Sequence, residues 1–504
     1  MNELEQTRGN LVEQQLLAHT RPPGWQPPEP ADRYHLIVVG AGPAGLVAAA
    51  GAASLGARVA IVERTRMGGD CLHTGCVPSK ALLSAARTAA AMRKSATFGI
   101  HMTDPVQVDF RAVMERMRTI RAELSTHDSA SRFQQLGVDV FFGNARFTSR
   151  DSVHVGGMEL RFKKGVIATG TRAAVPPVPG LERVNYLTNE TIFSLTKLPK
   201  RLAVIGGGPI GCELAQAFVR FGSEVSLIES ASSILPREER DAAEVVANAL
   251  ERNGVHLWCS AKNLNVSQES SGIKVTLSSG GKLHDVDVDH LLVAAGRVAN
   301  VEQIGLEKAG VAYERQGGIT VNDRLQTTNR NIYAAGDVCS KYKFTHAADA
   351  MARIVVGNSL FGKRDRFSRL ILPWCTYTSP EIARVGLSQQ EADLAKIPID
   401  TYTQSLAEID RAVLDGHPDG FVRVHTRRGS GTILGATIVA ERAGELIGEI
   451  TQAMTHRLSL KDLARTIHPY PTVGAGISQI GDQYNRTRLT PLVKGLLAKW
   501  FAWR

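Results

Sequence analysis

The chain has 504 residues, 43% of them hydrophobic, with 47 Gly and 21 Pro, a composition that suits a globular protein of three or four domains and excludes a low-complexity or fibrous one. Six cysteines in this length exclude a disulfide framework. The net charge of +10 comes from scattered Lys and Arg with no nucleic-acid motif among them, so it reads as a surface that favours anionic cofactors.

Residues 1–34 form a polar extension that carries Pro22, Pro23, Pro27, Pro28 and Pro30 and lacks the apolar core of a secretory signal. The cytoplasm is therefore the expected location. Leu36 to Val39 then reads as a buried strand, Gly40-Ala41-Gly42-Pro43-Ala44-Gly45 as a tight turn, and Leu46 to Ala57 as a small-residue helix too short to span a bilayer. Val59 to Glu63 reads as a second strand, ending on an acid. The three glycines act differently, since Gly40 makes the turn, Gly42 lets a pyrophosphate approach the backbone, and Gly45 permits close packing of helix on strand. The pyrophosphate rests on the helix N-terminus while Glu63 accepts bonds from ribose hydroxyls.

Next comes Gly68-Gly69-Asp70-Cys71-Leu72-His73-Thr74-Gly75-Cys76-Val77-Pro78-Ser79-Lys80, ahead of a helical run from Ala81 to Lys94. Pro78 suits a first helical turn and places Cys76 at the helix N-terminus, where unpaired N–H groups stabilise a thiolate. Two buried structural cysteines would leave the flanking glycines unexplained.

The grammar of the first unit then repeats. Ala203-Val204-Ile205 is the strand, Gly206-Gly207-Gly208-Pro209-Ile210-Gly211 the turn with its three glycines at Gly206, Gly208 and Gly211, and Val225 to Glu229 the acid-ended second strand. Both acids fall at the same distance past their first glycine, so two dinucleotide sites are expected, for two different dinucleotides. Ala294-Ala295-Gly296-Arg297 and Ile332-Tyr333-Ala334-Ala335-Gly336-Asp337 are further apolar strands ending on Gly, and Asp337 can bond a sugar or ribityl hydroxyl. From about Pro373 the pattern changes: Phe421 to His425 and Thr432 to Val439 alternate as antiparallel strands do, and Leu446, Ile447, Ile450 and Met454 mark an amphipathic helix. An α+β dimerisation domain is expected there. The last helix has an apolar face of Leu492, Val493, Leu496, Leu497, Trp500 and Phe501, expected to dock on the protein body rather than to touch a membrane surface.

From about Tyr34 to Arg504 the chain resembles the class I pyridine nucleotide-disulfide oxidoreductases: glutathione reductase, dihydrolipoamide dehydrogenase and mercuric reductase. The segment GGDCLHTGCVPSK carries the resemblance. It implies an α/β fold with two Rossmann-type domains, an FAD-binding domain over 35–187 and 301–370 and an NAD(P)-binding domain over 188–300, plus an interface domain over 371–504 and a homodimeric working form. It implies a Cys71–Cys76 redox disulfide, with Cys76 nearest the flavin and Cys71 as the interchange thiol facing substrate. Lys80 matches the lysine near flavin N5, Glu213 its ion-pair partner and Asp337 the ribityl ligand. Ala168-Thr169-Gly170 matches the segment that ends the FAD half, and Gly296 to Asn300 the one that ends the NAD domain. Glu229 favours NADH because a carboxylate repels a 2′-phosphate, although Arg237 lies near enough in sequence to admit NADPH.

One stretch departs from that pattern. Disulfide reductases present a partner-subunit His-Pro-Thr followed by a Glu, whereas aligning Pro471-Thr472 here puts Tyr470 in the histidine's place and Ala475 in the glutamate's. His468 either replaces the missing group or is a loop histidine bonded to backbone. Tyr470 resembles mercuric reductase, yet that relative's vicinal cysteines have no counterpart in Lys499 to Arg504. Electron transfer from NAD(P)H to an acceptor such as mercury(II) is the expected activity. The alternatives are a disulfide reductase and a flavin-binding redox sensor without turnover.

Overall fold

In a computed structural model the chain is described over residues 3–504, with side chains from Leu11 onward. The first unit builds a sheet whose parallel strands run in the order Val138–Phe142, Val59–Glu63, Tyr34–Val39, Met158–Ile167, with Ile332–Ala334 added beyond Met158–Ile167. Helices Pro43–Ser54 and Thr345–Phe361 cover one face, and the antiparallel strands Arg146–Phe147 and Ser152–Val155 with residues 299–319 cover the other, so Val59–Glu63 is buried throughout, as parallel strands demand. The small-residue helix spans Pro43–Ser54 and buries Ala44, Leu46, Ala48, Ala49 and Ala52. The return of residues 332–334 to this sheet brings Asp337 to the same carboxyl edge as Gly40, the edge where open α/β sheets hold ligands.

The second unit is a four-stranded parallel sheet of Val255–Trp258, Glu224–Ile228, Arg201–Ile205 and His290–Val293. A three-stranded antiparallel sheet, Lys262–Val288, is inserted before its last strand. The chain crosses between the two units at an antiparallel ribbon, Thr171–Ala173 against Arg297–Ala299. One hydrophobic core joins the units, because Leu82 and Leu83 of helix Cys76–Lys94 and Phe110 of the following helix pack with Leu214, Phe218 and Phe221 of the second unit. The C-terminal part is a five-stranded antiparallel sheet of Pro373–Thr376, Glu381–Gly386, Ile433–Ala440, Phe421–Arg427 and Ile399–Ser405, with helix Ala443–Thr455 across it. The alternating runs and the amphipathic helix expected from the sequence lie in these elements.

Two features differ from expectation. The N-terminal extension contains a helix, Glu3–Thr20, which buries Leu16 against Leu72 and Ala122 and sets Glu13 between Arg66 and Arg121 at 2.7 and 3.2 Å. Its polarity conceals it, since one buried leucine and an ion-pair clasp leave little apolar periodicity. The last helix, Pro491–Trp503, buries none of its residues, so the expected docking does not occur on its own chain: Leu492, Leu496, Trp500, Phe501 and Trp503 are all exposed. Gly495, Ala498 and Ala502 share its other side and offer no bulky side chain to seat in a groove. Among the described residues, no helix is long and apolar enough to cross a membrane.

Candidate functional site

The two glycine turns are near duplicates. Gly40 has φ of +103° and Gly206 of +112°, and a Cβ on either would stand 2.4 or 2.5 Å from the carbonyl oxygen of Ala168 or Ala294. A Cβ on Gly45 or Gly211 would stand 1.8 or 1.9 Å from the carbonyl of the first glycine. Glycine is therefore required on conformational and steric grounds together. A Cβ on Gly208 would meet nothing within 4 Å and one on Gly42 only the Gly69 Cα at 3.8 Å, so both turns leave room for a diphosphate to approach. The acids repeat as well: Glu63 accepts the Ala41 and Thr65 N–H groups at 2.8 and 2.7 Å, and Glu229 accepts those of Gly207 and Ala231 at 2.7 Å each.

Cys71 lies on a short helix, Gly69–His73, and Cys76 is the first residue of helix Cys76–Lys94. Both are free thiols, Cys76 exposed to the cavity and Cys71 half-buried. Thr345, the first residue of helix Thr345–Phe361, puts its Oγ1 3.4 Å from the Cys76 sulfur, so two helix N-termini meet there. A hydrogen bond from Cys71, then Thr345 and the Lys80 charge, outweigh burial and hold Cys76 down at about 6. The same bond, with burial, pushes Cys71 up. One proton is thus shared unequally: near neutral pH Cys76 is the thiolate and Cys71 the thiol.

Lys80 reaches Glu213 at 2.7 Å and lies over the Tyr377 ring at 4.5 Å, while Glu213 also accepts the Tyr377 N–H at 2.9 Å. Glu213 is buried, so each extra bond offsets the desolvation of its charge. Asp337 accepts the Thr171 hydroxyl at 3.0 Å. Arg297 donates to that hydroxyl at 2.7 Å and also pairs with Asp70, next to Cys71. Thr169 and Asn300 exchange bonds of 2.7 and 2.9 Å, so Thr169, Gly170 and Gly296 sit where the chain passes between its two units. The sequence motifs contain Asp70 and Arg297 without assigning them a role, and Thr171 and Thr345 lie outside them. Arg297 directly follows Gly296, whereas Thr345 meets Cys76 only through folding.

The loop after helix Leu460–Leu463 separates the two candidates it carries. Tyr470 is 79% exposed and donates its hydroxyl to Asp410 at 2.7 Å, a bond that raises its pKa. His468 is turned inward, with Nδ1 3.2 Å from the Thr466 carbonyl and Nε2 3.0 and 3.1 Å from the two Glu449 oxygens. Both of its nitrogens are engaged within its own subunit, by backbone and by a carboxylate from helix Ala443–Thr455. Ala475 opens helix Ala475–Thr487 and offers no carboxylate. Neither Tyr470 nor His468 lines the cavity that holds Cys71 and Cys76 in the same chain.

That cavity, of about 2400 Å³, runs from Gly40, Gly42 and Glu63 past Thr169, Gly170 and Asp337 to Cys76, Lys80 and Glu213, and on to Gly208 and Gly296. Its length, its two glycine cradles and the thiols between them fit an FAD extended along the first turn and a nicotinamide cofactor on the second. Among the described residues, no His, Cys, Asp and Glu cluster could hold a metal ion.

Comparison with known proteins agrees with this geometry. Residues 34–352 match the pyridine nucleotide-disulphide oxidoreductase family, and residues 372–479 match its dimerisation domain. The chain is 33% identical over 444 residues to a mercuric reductase of Bacillus cereus, covering 88% of this chain and 70% of that one. It is 34% identical over 451 residues to a dihydrolipoyl dehydrogenase of Chlamydia muridarum, covering 88% and 95%. Among solved structures it resembles the Cu(II) complex of the HOCl-induced flavoprotein disulfide reductase RclA from Escherichia coli, with a TM-score of 0.78 and 28% identity over 90% of this chain and 100% of that one. A duplicated dinucleotide cradle with a thiol pair between its halves, and the sequence match over most of the chain, place this protein in the pyridine nucleotide-disulfide oxidoreductase family, as an enzyme that uses FAD and a nicotinamide cofactor.

Proposed function

We propose that this chain works as a cytoplasmic homodimer that oxidises NADH and passes electrons through Cys76 and Cys71 to an acceptor that needs no proton delivered to a leaving thiol. Thiol-ligated metal ions, mercury(II) first, and then quinones are the acceptor classes. The observation that carries this reading is Tyr470 bonded to Asp410, with Ala475 in the place where disulfide reductases keep a carboxylate for their histidine. Protonating a leaving thiolate calls for an acid near neutral pKa, and Tyr470 is held above its ordinary value of about 10. Mercuric reductases among the relatives support the metal-ion class.

Bound FAD supplies the two-electron relay between nicotinamide and disulfide. The chain's own residues do the rest. Lys80, fixed by Glu213, provides the positive charge beside the relay, and the bond from Cys71 with the Thr345 hydroxyl receives the charge that appears on Cys76 when the disulfide opens. Opening the disulfide takes up two electrons and one proton, and Cys71 takes that proton from solvent and meets the acceptor. Disulfide reduction is the second reading, favoured by the dihydrolipoyl dehydrogenases among the relatives. A redox sensor without turnover is disfavoured by the intact Cys71, Cys76, Lys80 and Glu213.

Steady-state assays of the dimer with NADH test the acceptor: glutathione disulfide and lipoamide are expected to fall below about 10⁵ M⁻¹s⁻¹ in kcat/KM, with thiol-ligated mercury(II) or a quinone at least about tenfold better. A disulfide value of ordinary size would overturn the reading. For the donor, Glu229 ends its strand with a carboxylate that accepts two backbone N–H groups, and such a carboxylate would repel a 2′-phosphate. Flavin reduction should therefore favour NADH over NADPH by at least about tenfold, the ratio set by roughly 1.4 kcal/mol. Stopped-flow measurement decides it, and a preference for NADPH would show that Arg237 governs the site.

A further inference from the structure

We propose that helix Pro491–Trp503 lies on an anionic lipid surface and holds the enzyme there. The helix buries none of its residues on its own chain. At 3.6 residues per turn, Leu492, Trp503, Leu496, Trp500, Val493, Leu497 and Phe501 follow one another around an apolar arc of roughly 180°. Lys499 stands at one edge of that arc and Lys494 at the other, with Gly495, Ala498 and Ala502 opposite.

An apolar face exposed to this extent needs a cover, and its chemistry selects one. From Gln483 to Arg504 there are five basic residues, Arg486, Arg488, Lys494, Lys499 and Arg504, and no acid. That charge complements phosphate headgroups. Lysines on both flanks of the arc can bury their methylenes and lift their ammonium groups to the headgroup plane, and Trp500 and Trp503 suit the interface itself. Thirteen residues extend only about 20 Å, so the helix lies along the surface rather than across the bilayer.

Vesicle flotation of the FAD-loaded full-length protein tests this. Retention on phosphatidylglycerol-containing vesicles is expected to exceed that on pure phosphatidylcholine by at least about tenfold, and to fall about fivefold for each charge removed in Lys494→Gln and Lys499→Gln. Leu496→Glu should abolish flotation while NADH still reduces the flavin at the unaltered rate, since no core contact is lost. Failure to float overturns the proposal, and so does equal retention on neutral and anionic vesicles. Conversion of dimer to monomer by Leu496→Glu in light scattering also overturns it, because a second copy of the chain would then be the cover.

Discussion

Replacing Cys76 by Ser is expected to leave FAD bound and to lower NADH-driven turnover of any acceptor by at least ~10³-fold, since one sulfur of the relay is gone. The side chain loses one sulfur and gains one oxygen at a position open to the cavity, so the fold is untouched. The diagnostic is spectroscopic: the long-wavelength absorbance of the two-electron-reduced wild type, which needs an electron-rich thiolate beside the flavin, is absent in the variant. An unchanged band would mean that Cys71 is the sulfur nearest the flavin. The wild-type band also carries a pH signature. The Cys76 pKa is depressed to about 6, so the thiolate persists above that value and the band fades as pH falls through it. Thr345→Val removes one stabilising hydroxyl and moves the midpoint upward.

The second large effect separates the two nucleotide cradles. Gly40→Ala forces an L side chain to a φ of +103° and its Cβ to 2.4 Å from the Ala168 carbonyl, so the turn must move. The strain is about 1–2 kcal/mol before the overlap is counted, and FAD loading should fall by at least ~30-fold. Gly206→Ala meets the same obstacle, with φ of +112° and the Ala294 carbonyl at 2.5 Å, but in the other cradle. That variant should purify with FAD, accept electrons from dithionite and resist reduction by NADH. Absorbance at purification and anaerobic titration check both. Loss of FAD in the second variant would mean that the cradles are not independent.

The elements that were legible before folding are those whose signal is local. Glycine spacing with a trailing acid marks Gly40 to Glu63 and Gly206 to Glu229 because turn, helix start and strand end are consecutive in sequence, and Pro78 marks the start of helix Cys76–Lys94 for the same reason. Partners from distant segments left no such trace. Thr345 meets Cys76 across 269 residues, Asp410 meets Tyr470 across 60 and Glu449 meets His468 across 19. A resemblance could note that Ala475 offers no carboxylate. It could not say that Asp410 takes up the tyrosine hydroxyl, or that Glu449 draws the histidine inward, since both are contacts between elements of the interface domain. Helix Glu3–Thr20 left no clear signal for a related reason, as the described contacts that hold it are Leu16 with Val12, the ion pairs of Glu13 and a His19–Ser125 hydrogen bond.

The core shared by the two nucleotide units has a mechanical consequence. An inserted domain joined by a short ribbon could in principle swing as a lid, with Thr171–Ala173 and Arg297–Ala299 as its hinge. Here Phe218 and Phe221 of the inserted unit close on Phe110 with ring centroids 5.8 and 5.9 Å apart, and Leu82 and Leu83 of the redox helix belong to the same cluster. Opening such a hinge would bring several fully buried side chains into water, at roughly 1.5–3 kcal/mol each, so the open state is negligibly populated. A nicotinamide cofactor must therefore enter a cleft that no domain swing widens.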